Sequence, residues 1–235
     1  MSDERLERLA LVRCRPGSDA CDRLSDWLSS PSQDDSGRRL FLHGDGVEYA
    51  GDVWRSKIAD LAGPRTELEV CRTSWHRRYA EPPRPPFRQA SLGRLCRAVR
   101  EGVDIECFGL IACESAGGRV APSTDQHARR GSYELLVEIG FAPAGRFKAI
   151  EALEFALAAA ALELDARVRF FGPGLEHLAR VDGRGWCQIT DYRLLGLYAD
   201  RSARAVVQEP TAPVIWLDPS ELARLRTDAA TIIRL

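Results

Sequence analysis

The feature of this chain that most limits its fold is a succession of short apolar runs, each closing on turn-forming residues and separated from the next by a helix-length segment. Residues 9–14 (LALVRC) run into Pro16-Gly17-Ser18-Asp19, and residues 20–28 then place Leu24, Trp27 and Leu28 on one helical face. Residues 39–43 (RLFLH) end in Gly44-Asp45-Gly46, and residues 68–71 (LEVC) run into Thr73-Ser74, a plausible helix start. A polar helix over 91–100 leads to a last short run at 104–108, DIECF. Strands alternating with helices at this spacing predict crossover units around a mainly parallel sheet with helices on both faces. In such sheets sites form at the carboxyl ends of the strands, where Gly44-Asp45-Gly46 and Cys71 both fall.

The pattern breaks over 110–131, which holds Gly-Gly, Pro, Ser-Thr and a basic end, and then restarts. A strand at 133–141 (YELLVEIGF), a Pro-Ala-Gly turn, an Ala/Leu-rich helix at 147–164 and a strand at 166–171 (ARVRFF) lead to Gly172-Pro173-Gly174. GDGVE in the first half answers GPGLE in the second, and the halves close on DIECF and on TIIRL at 231–235. The reading is a domain over 1–109, a linker over 110–131 and a domain over 132–235, each domain large enough for its own core. Residues 203–207 (ARAVV) are expected as the second-half counterpart of LEVC.

Composition narrows the function classes. The 235 residues are 45% hydrophobic and 29% charged, which excludes a disordered or fibrous chain. Thirty-three Lys+Arg against 34 Asp+Glu leave a formal charge of -1, without the basic excess that advertises nucleic-acid or anionic-membrane binding. No run approaches the roughly 20 apolar residues of a membrane span, and the charged start MSDERLERLA is unlike a signal peptide, so a cytoplasmic location is expected. The seven cysteines are odd in number and scattered, with no C-x-x-C pair and no His at ligand spacing, which argues against a disulfide framework and a zinc site.

Cys71 is the thiol whose surroundings single it out. Arg72, His76, Arg77 and Arg78 follow within two helical turns, and nearby positive charge or a helix amino terminus favours a thiolate. The competing reading is a strand-end cysteine that only packs. His43 and Asp45 flank the glycine turn and line the Cys71 pocket if both share the sheet's carboxyl edge. Trp75 is expected in the core rather than as a shield, and Cys187, expected just before a helix, has neither charge nor motif to support a reactive role. Gly44-x-Gly46 and Gly172-x-Gly174 lack the third glycine of a dinucleotide fingerprint, so no cofactor is expected.

The first half resembles the DsrE/TusD family of sulfur-relay subunits. FLHGDGVEYA (41–50), LEVCRTSWHRR (68–78) and FRQASLGRLCRAVREGVDIECFG (87–109) stand in family order. The second half resembles the companion DsrF/TusC family through YRLLGLY (192–198) with Ala199-Asp200, read as a helix-closing segment before the fourth strand, and through SELARLRTDAATIIRL (220–235). The resemblance implies two tandem flavodoxin-like, DsrEFH-like three-layer domains. It implies a persulfide carried on Cys71, with Arg72, Arg77, Arg78 and His76 stabilising the anion and no metal or organic cofactor. It also implies sulfur-donor and sulfur-acceptor carrier proteins as partners, a homo-oligomer, and a separate DsrH/TusB-like subunit, for which no segment is present here. ARAVV ends without a cysteine, and Glu81-Pro82-Pro83-Arg84-Pro85-Pro86 stands where the family has a helical segment. A non-catalytic assembly module and a flavodoxin-like small-molecule binder are the alternative expectations.

Overall fold

The computed structural model describes residues 6–18, 20–30, 37–109, 132–143, 145–179, 184–207 and 209–235. The expected linker over 110–131, with Cys113, lies outside them. The chain divides into two compact units, Met1–Leu110 and Ile111–Leu235.

The first unit runs β1 (Leu6–Val12), α1 (Ala20–Ser29), β2 (Gly37–Leu42), a 3-10 turn (Gly44–Ala50), α2 (Arg55–Ala62), β3 (Thr66–Cys71), α3 (Arg72–His76), β4 (Arg88–Ala90), α4 (Leu92–Arg100) and β5 (Asp104–Phe108). Its five strands are all parallel, in the order β4-β3-β2-β1-β5. The second unit runs β6 (Tyr133–Ile139), α5 (Gly145–Ala161), β7 (Ala166–Phe170), a 3-10 turn (Gly172–Leu175), α6 (Glu176–Ala179), α7 (Arg184–Asp191), β8 (Gly196–Asp200), a 3-10 turn (Arg201–Ala205), β9 (Ile215–Leu217), α8 (Pro219–Thr227) and β10 (Ala229–Arg234). Its sheet, β10-β6-β7-β8-β9, is also all parallel and repeats the first unit's order strand for strand. Both units are thus α/β, with a five-stranded parallel sheet flanked by helices. The order differs from the 2-1-3-4-5 of flavodoxin itself.

One expectation is corrected. The counterpart of β3 is not 203–207 but β8, GLYAD, which forms a strand rather than the close of a helix. Along GLYAD the burial alternates, with Leu197 and Ala199 inside, as a strand covered on one face requires. ARAVV instead begins inside the 3-10 turn at Arg201–Ala205, and its Val206 is 77% exposed.

Pleating sorts the first sheet into two faces. Ala10, Val12, Leu40, Leu42, Leu68 and Val70 join Leu24 and Leu28 of α1, Ile58 of α2 and Trp75 of α3 in one apolar cluster. Glu67 and Glu69 lie on the other face, and Arg94 of α4 reaches both carboxylates, at 2.9 and 3.0 Å, which places α4 there. Glu69 is fully buried among Arg39, Arg88 and Arg94. Burial pushes its carboxyl upward while those three guanidiniums pull it down. The second unit has its own buried carboxylate, Glu138, held by Arg169 of β7, Arg226 of α8 and Arg234 of β10.

The repeated glycine pairs have one structural cause. Gly44 and Gly172 turn the chain at φ +58° and +50°, a region that favours glycine. Two residues on, a Cβ at Gly46 would lie 2.2 Å from the Val12 carbonyl oxygen, and one at Gly174 would lie 2.0 Å from that of Ile139. Both turns therefore clamp the unit's first strand, β1 or β6, which accounts for GDG and GPG without a bound phosphate.

Candidate functional site

A crossover sheet opens a crevice where the connections leaving two neighbouring strands go to opposite faces. In the first unit that point lies between β3 and β4. The chain leaving β3 packs Trp75 into the α1 and α2 side, whereas the chain leaving β4 enters α4 on the other side. Cys71, paired with Ala90, stands at this carboxyl edge.

Register then defines a row of side chains. Val12 pairs with Leu42, and Leu42 with Val70, so Arg13, His43 and Cys71, each one residue further on, stand side by side. The Arg13 Nε–H donates to His43 Nδ1 at 3.2 Å. His43 is fully buried, and its imidazole is held well below its usual range by that burial and by the cations of Arg13, Arg78 and Arg77. Cys71 is 1% exposed, with its Sγ 3.2 Å from the Thr73 hydroxyl. The buried Ser74 hydroxyl accepts from the Gly44 backbone N–H at 3.0 Å, tying α3 to the glycine turn.

The other expected site residues divide. Asp45 sits in the same edge and pairs with Arg78 at 2.8 Å and Arg15 at 3.5 Å, so Arg78 is committed to Asp45 and to the Ser74 carbonyl. Arg77 is half-buried and acts on His43. His76 is exposed and meets Gln89 at 3.3 Å, and Arg72 is exposed beside the thiol's own backbone. Only five residues make α3, which leaves little macrodipole to act on Cys71. Trp75 packs in the core as expected, stacked on Tyr79 with centroids 4.2 Å apart, and its indole N–H donates to the Glu81 carbonyl at 2.6 Å. The proline segment 82–86 forms neither helix nor strand, and of its residues only Pro83 is not exposed.

Cys187 lies inside α7 rather than before a helix, with its thiol turned to the Thr211 carbonyl. Cys96 is buried in α4, and burial pushes its thiol up to about 12, as befits a packing residue. Among the described residues no group of three or more His, Cys, Asp or Glu is placed to hold a metal ion.

The second unit shows what replaces the row. Ile139 pairs with Phe170 and Phe170 with Ala199, so Gly140, Phe171 and Asp200 take the places of Arg13, His43 and Cys71. The Asp200 carboxylate accepts from the Ser202 hydroxyl at 2.6 Å and backbone N–H at 2.8 Å, and these bonds hold it below the usual carboxylate range. No thiol stands at the matching strand end of the second unit, which is taken by Asp200 rather than by the end of ARAVV. Arg13 was not legible as a site residue in the sequence, because only register brings it beside His43.

No family model matches the chain, and no curated protein matches its sequence. No described helix is long and apolar enough to cross a membrane.

Proposed function

We propose that the first domain carries sulfane sulfur on Cys71 and that the second, without a thiol at the equivalent strand end, serves assembly or recognition. The observation that supports this is the position of Cys71 at the switch-point edge of a parallel sheet, in one row with His43 and Arg13 and beside the Thr73 hydroxyl. The Cys71 thiolate attacks the terminal sulfur of a donor persulfide R–S–SH. The new bond is Cys71 S–S, the donor S–S bond breaks, and the donor leaves as R–S⁻. A carrier thiolate then attacks the outer sulfur of Cys71–S–SH and releases the Cys71 thiolate, so neither step needs an outside oxidant or reductant. The finer reading of the two units as DsrE-like and DsrF-like domains of flavodoxin-like type belongs to this proposal. So do donor and acceptor carrier proteins, a homo-oligomer, a separate DsrH/TusB-like subunit and a cytoplasmic setting.

A second reading has its own observation: the thiol is 1% exposed, as in a non-catalytic module where Cys71 only packs. For sulfur transfer, the edge around Cys71 must open to admit the donor. Intact mass after incubation with a small persulfide donor separates the two. Gain of one sulfur atom, mapped to Cys71 and lost in Cys71→Ser with folding retained, supports the carrier. An unmodified chain establishes the packing role.

A further inference from the structure

The row at the carboxyl edge contains a chemical inversion. In a nucleophile–imidazole–carboxylate arrangement, the carboxylate lets the imidazole accept a proton and become a cation. Here a guanidinium stands in the carboxylate's place, 3.2 Å from Nδ1. An imidazole that accepts from Arg13 at Nδ1 carries its hydrogen on Nε2. β2 lies between β1 and β3, so His43 stands between Arg13, which its Nδ1 engages, and Cys71, and its Nε2 makes no hydrogen bond to the resting thiol.

We propose that Arg13 and His43 form a fixed arm presenting an N–H to the sulfur anion on Cys71, with Arg13 as a positioning residue acting through His43. The proposal rests on Cys71 as the sulfur carrier and adds what the site selects: a sulfur species held as an anion, since thiolate and persulfide anion accept hydrogen bonds and give none. With Arg13, Arg77 and Arg78 acting on it, the ring stays neutral, so it steadies the anion without taking up a proton. Thr73 supplies a second donor, its hydroxyl 3.2 Å from Sγ. The second unit keeps the ring position and loses the N–H. Phe171 lies over Gly140, where a Cβ would meet the ring at 2.4 Å, and the strand end is Asp200. Thiol, N–H donor and guanidinium are replaced together, as expected of parts of one device.

The test is the pH profile of Cys71 alkylation by iodoacetamide in the full chain, followed on the Cys71 peptide by mass spectrometry, with thermal unfolding read in parallel. His43→Phe, the residue found at the matching place in the second unit, should raise the midpoint by about one pH unit and slow alkylation near neutrality roughly tenfold. Arg13→Gln should move it the same way, and His43→Gln, which keeps an N–H donor, should restore most of the rate. Equal profiles in wild type and His43→Phe, or equal profiles in His43→Phe and His43→Gln, overturn the arm. The readout needs no persulfide, so the two failures separate. A shifted profile without sulfur loading overturns the carrier alone, and loading with an unshifted profile overturns the arm alone. A Cys71 that never alkylates in any variant overturns both.

Discussion

The carboxyl ends of β3 and β8 occupy the same place in two sheets of the same strand order, and the chain leaves each in the same manner. A short polar residue two positions on turns its hydroxyl back, Thr73 to the Cys71 sulfur and Ser202 to the Asp200 carboxylate. What differs is the environment. Cys71 is buried beside an imidazole anchored by a guanidinium, whereas Asp200 is half-buried in a unit whose adjoining positions are Phe171 and Gly140. The fold thus supplies the position twice, and thiol, imidazole and guanidinium stand together there in one copy.

The buried carboxylates allow the broadest test of that comparison. Glu69 sits on β3 and Glu138 on β6, each one strand in from an edge but at opposite sides of the shared strand order, and each is held by three arginines from two flanking strands and one helix. Glu69→Ala and Glu138→Ala should each cost their own unit about 4 kcal/mol, because either leaves guanidiniums crowded without their counter-charge. Denaturant melts followed by amide hydrogen exchange on each sheet check this. A loss in one unit only would show that the clusters are not equivalent supports.

The glycine turns come next. Gly46→Ala and Gly174→Ala both drive a methyl into a carbonyl of the unit's first strand and should cost about 3 kcal/mol each, again read sheet by sheet. Tolerance of one and not the other would break the equivalence of the turns.

A pH effect sharpens the contrast between His43 and Phe171. The folded chain holds His43 neutral, while the unfolded chain protonates it near its usual value of about 6.5. The stability so contributed is present above about pH 6.5 and is lost as pH falls below it, by about 1.4 kcal/mol per pH unit at most. Amide exchange on β2 should accelerate between pH 6.5 and 5 after correction for intrinsic rates, and His43→Phe should flatten that dependence. An unchanged slope in the variant would assign the effect to another group.

The smallest effect concerns the second unit's own thiol. Cys187 is turned to a backbone carbonyl inside α7, so Cys187→Ser should leave persulfide loading within about twofold of wild type. A larger loss in mass-spectrometric loading would move the chemistry into the second unit.

Sequence patterns exposed the repeat because each glycine pair meets the same backbone obstacle, and that constraint is local. β5, whose five residues form one short apolar run, lies where the pattern placed it. β4 and β9, with three residues each, are too short to show a period, and α2 buries only Ile58 and Ala62. ARAVV misled because an apolar run reads as a strand whether or not anything covers it, while GLYAD hides its alternation behind a glycine and a tyrosine. The cysteine was visible, and so was His43 through the glycine turn, but Arg13 was not. Of the basic residues that follow the thiol, Arg78 is committed to Asp45 and His76 meets Gln89, and Arg13 joins His43 through register alone.

Trp75 gives the burial of Cys71 an optical consequence. The segment that follows the thiol carries this indole, packed in the core, stacked on Tyr79 and hydrogen-bonded to the Glu81 carbonyl. Any opening of the edge that moves this segment pulls the indole from an apolar, stacked setting into water, so its emission reddens with that motion. Covered and open forms are then separable by colour in real time, and the fraction of time the site stands open becomes measurable before any substrate is known.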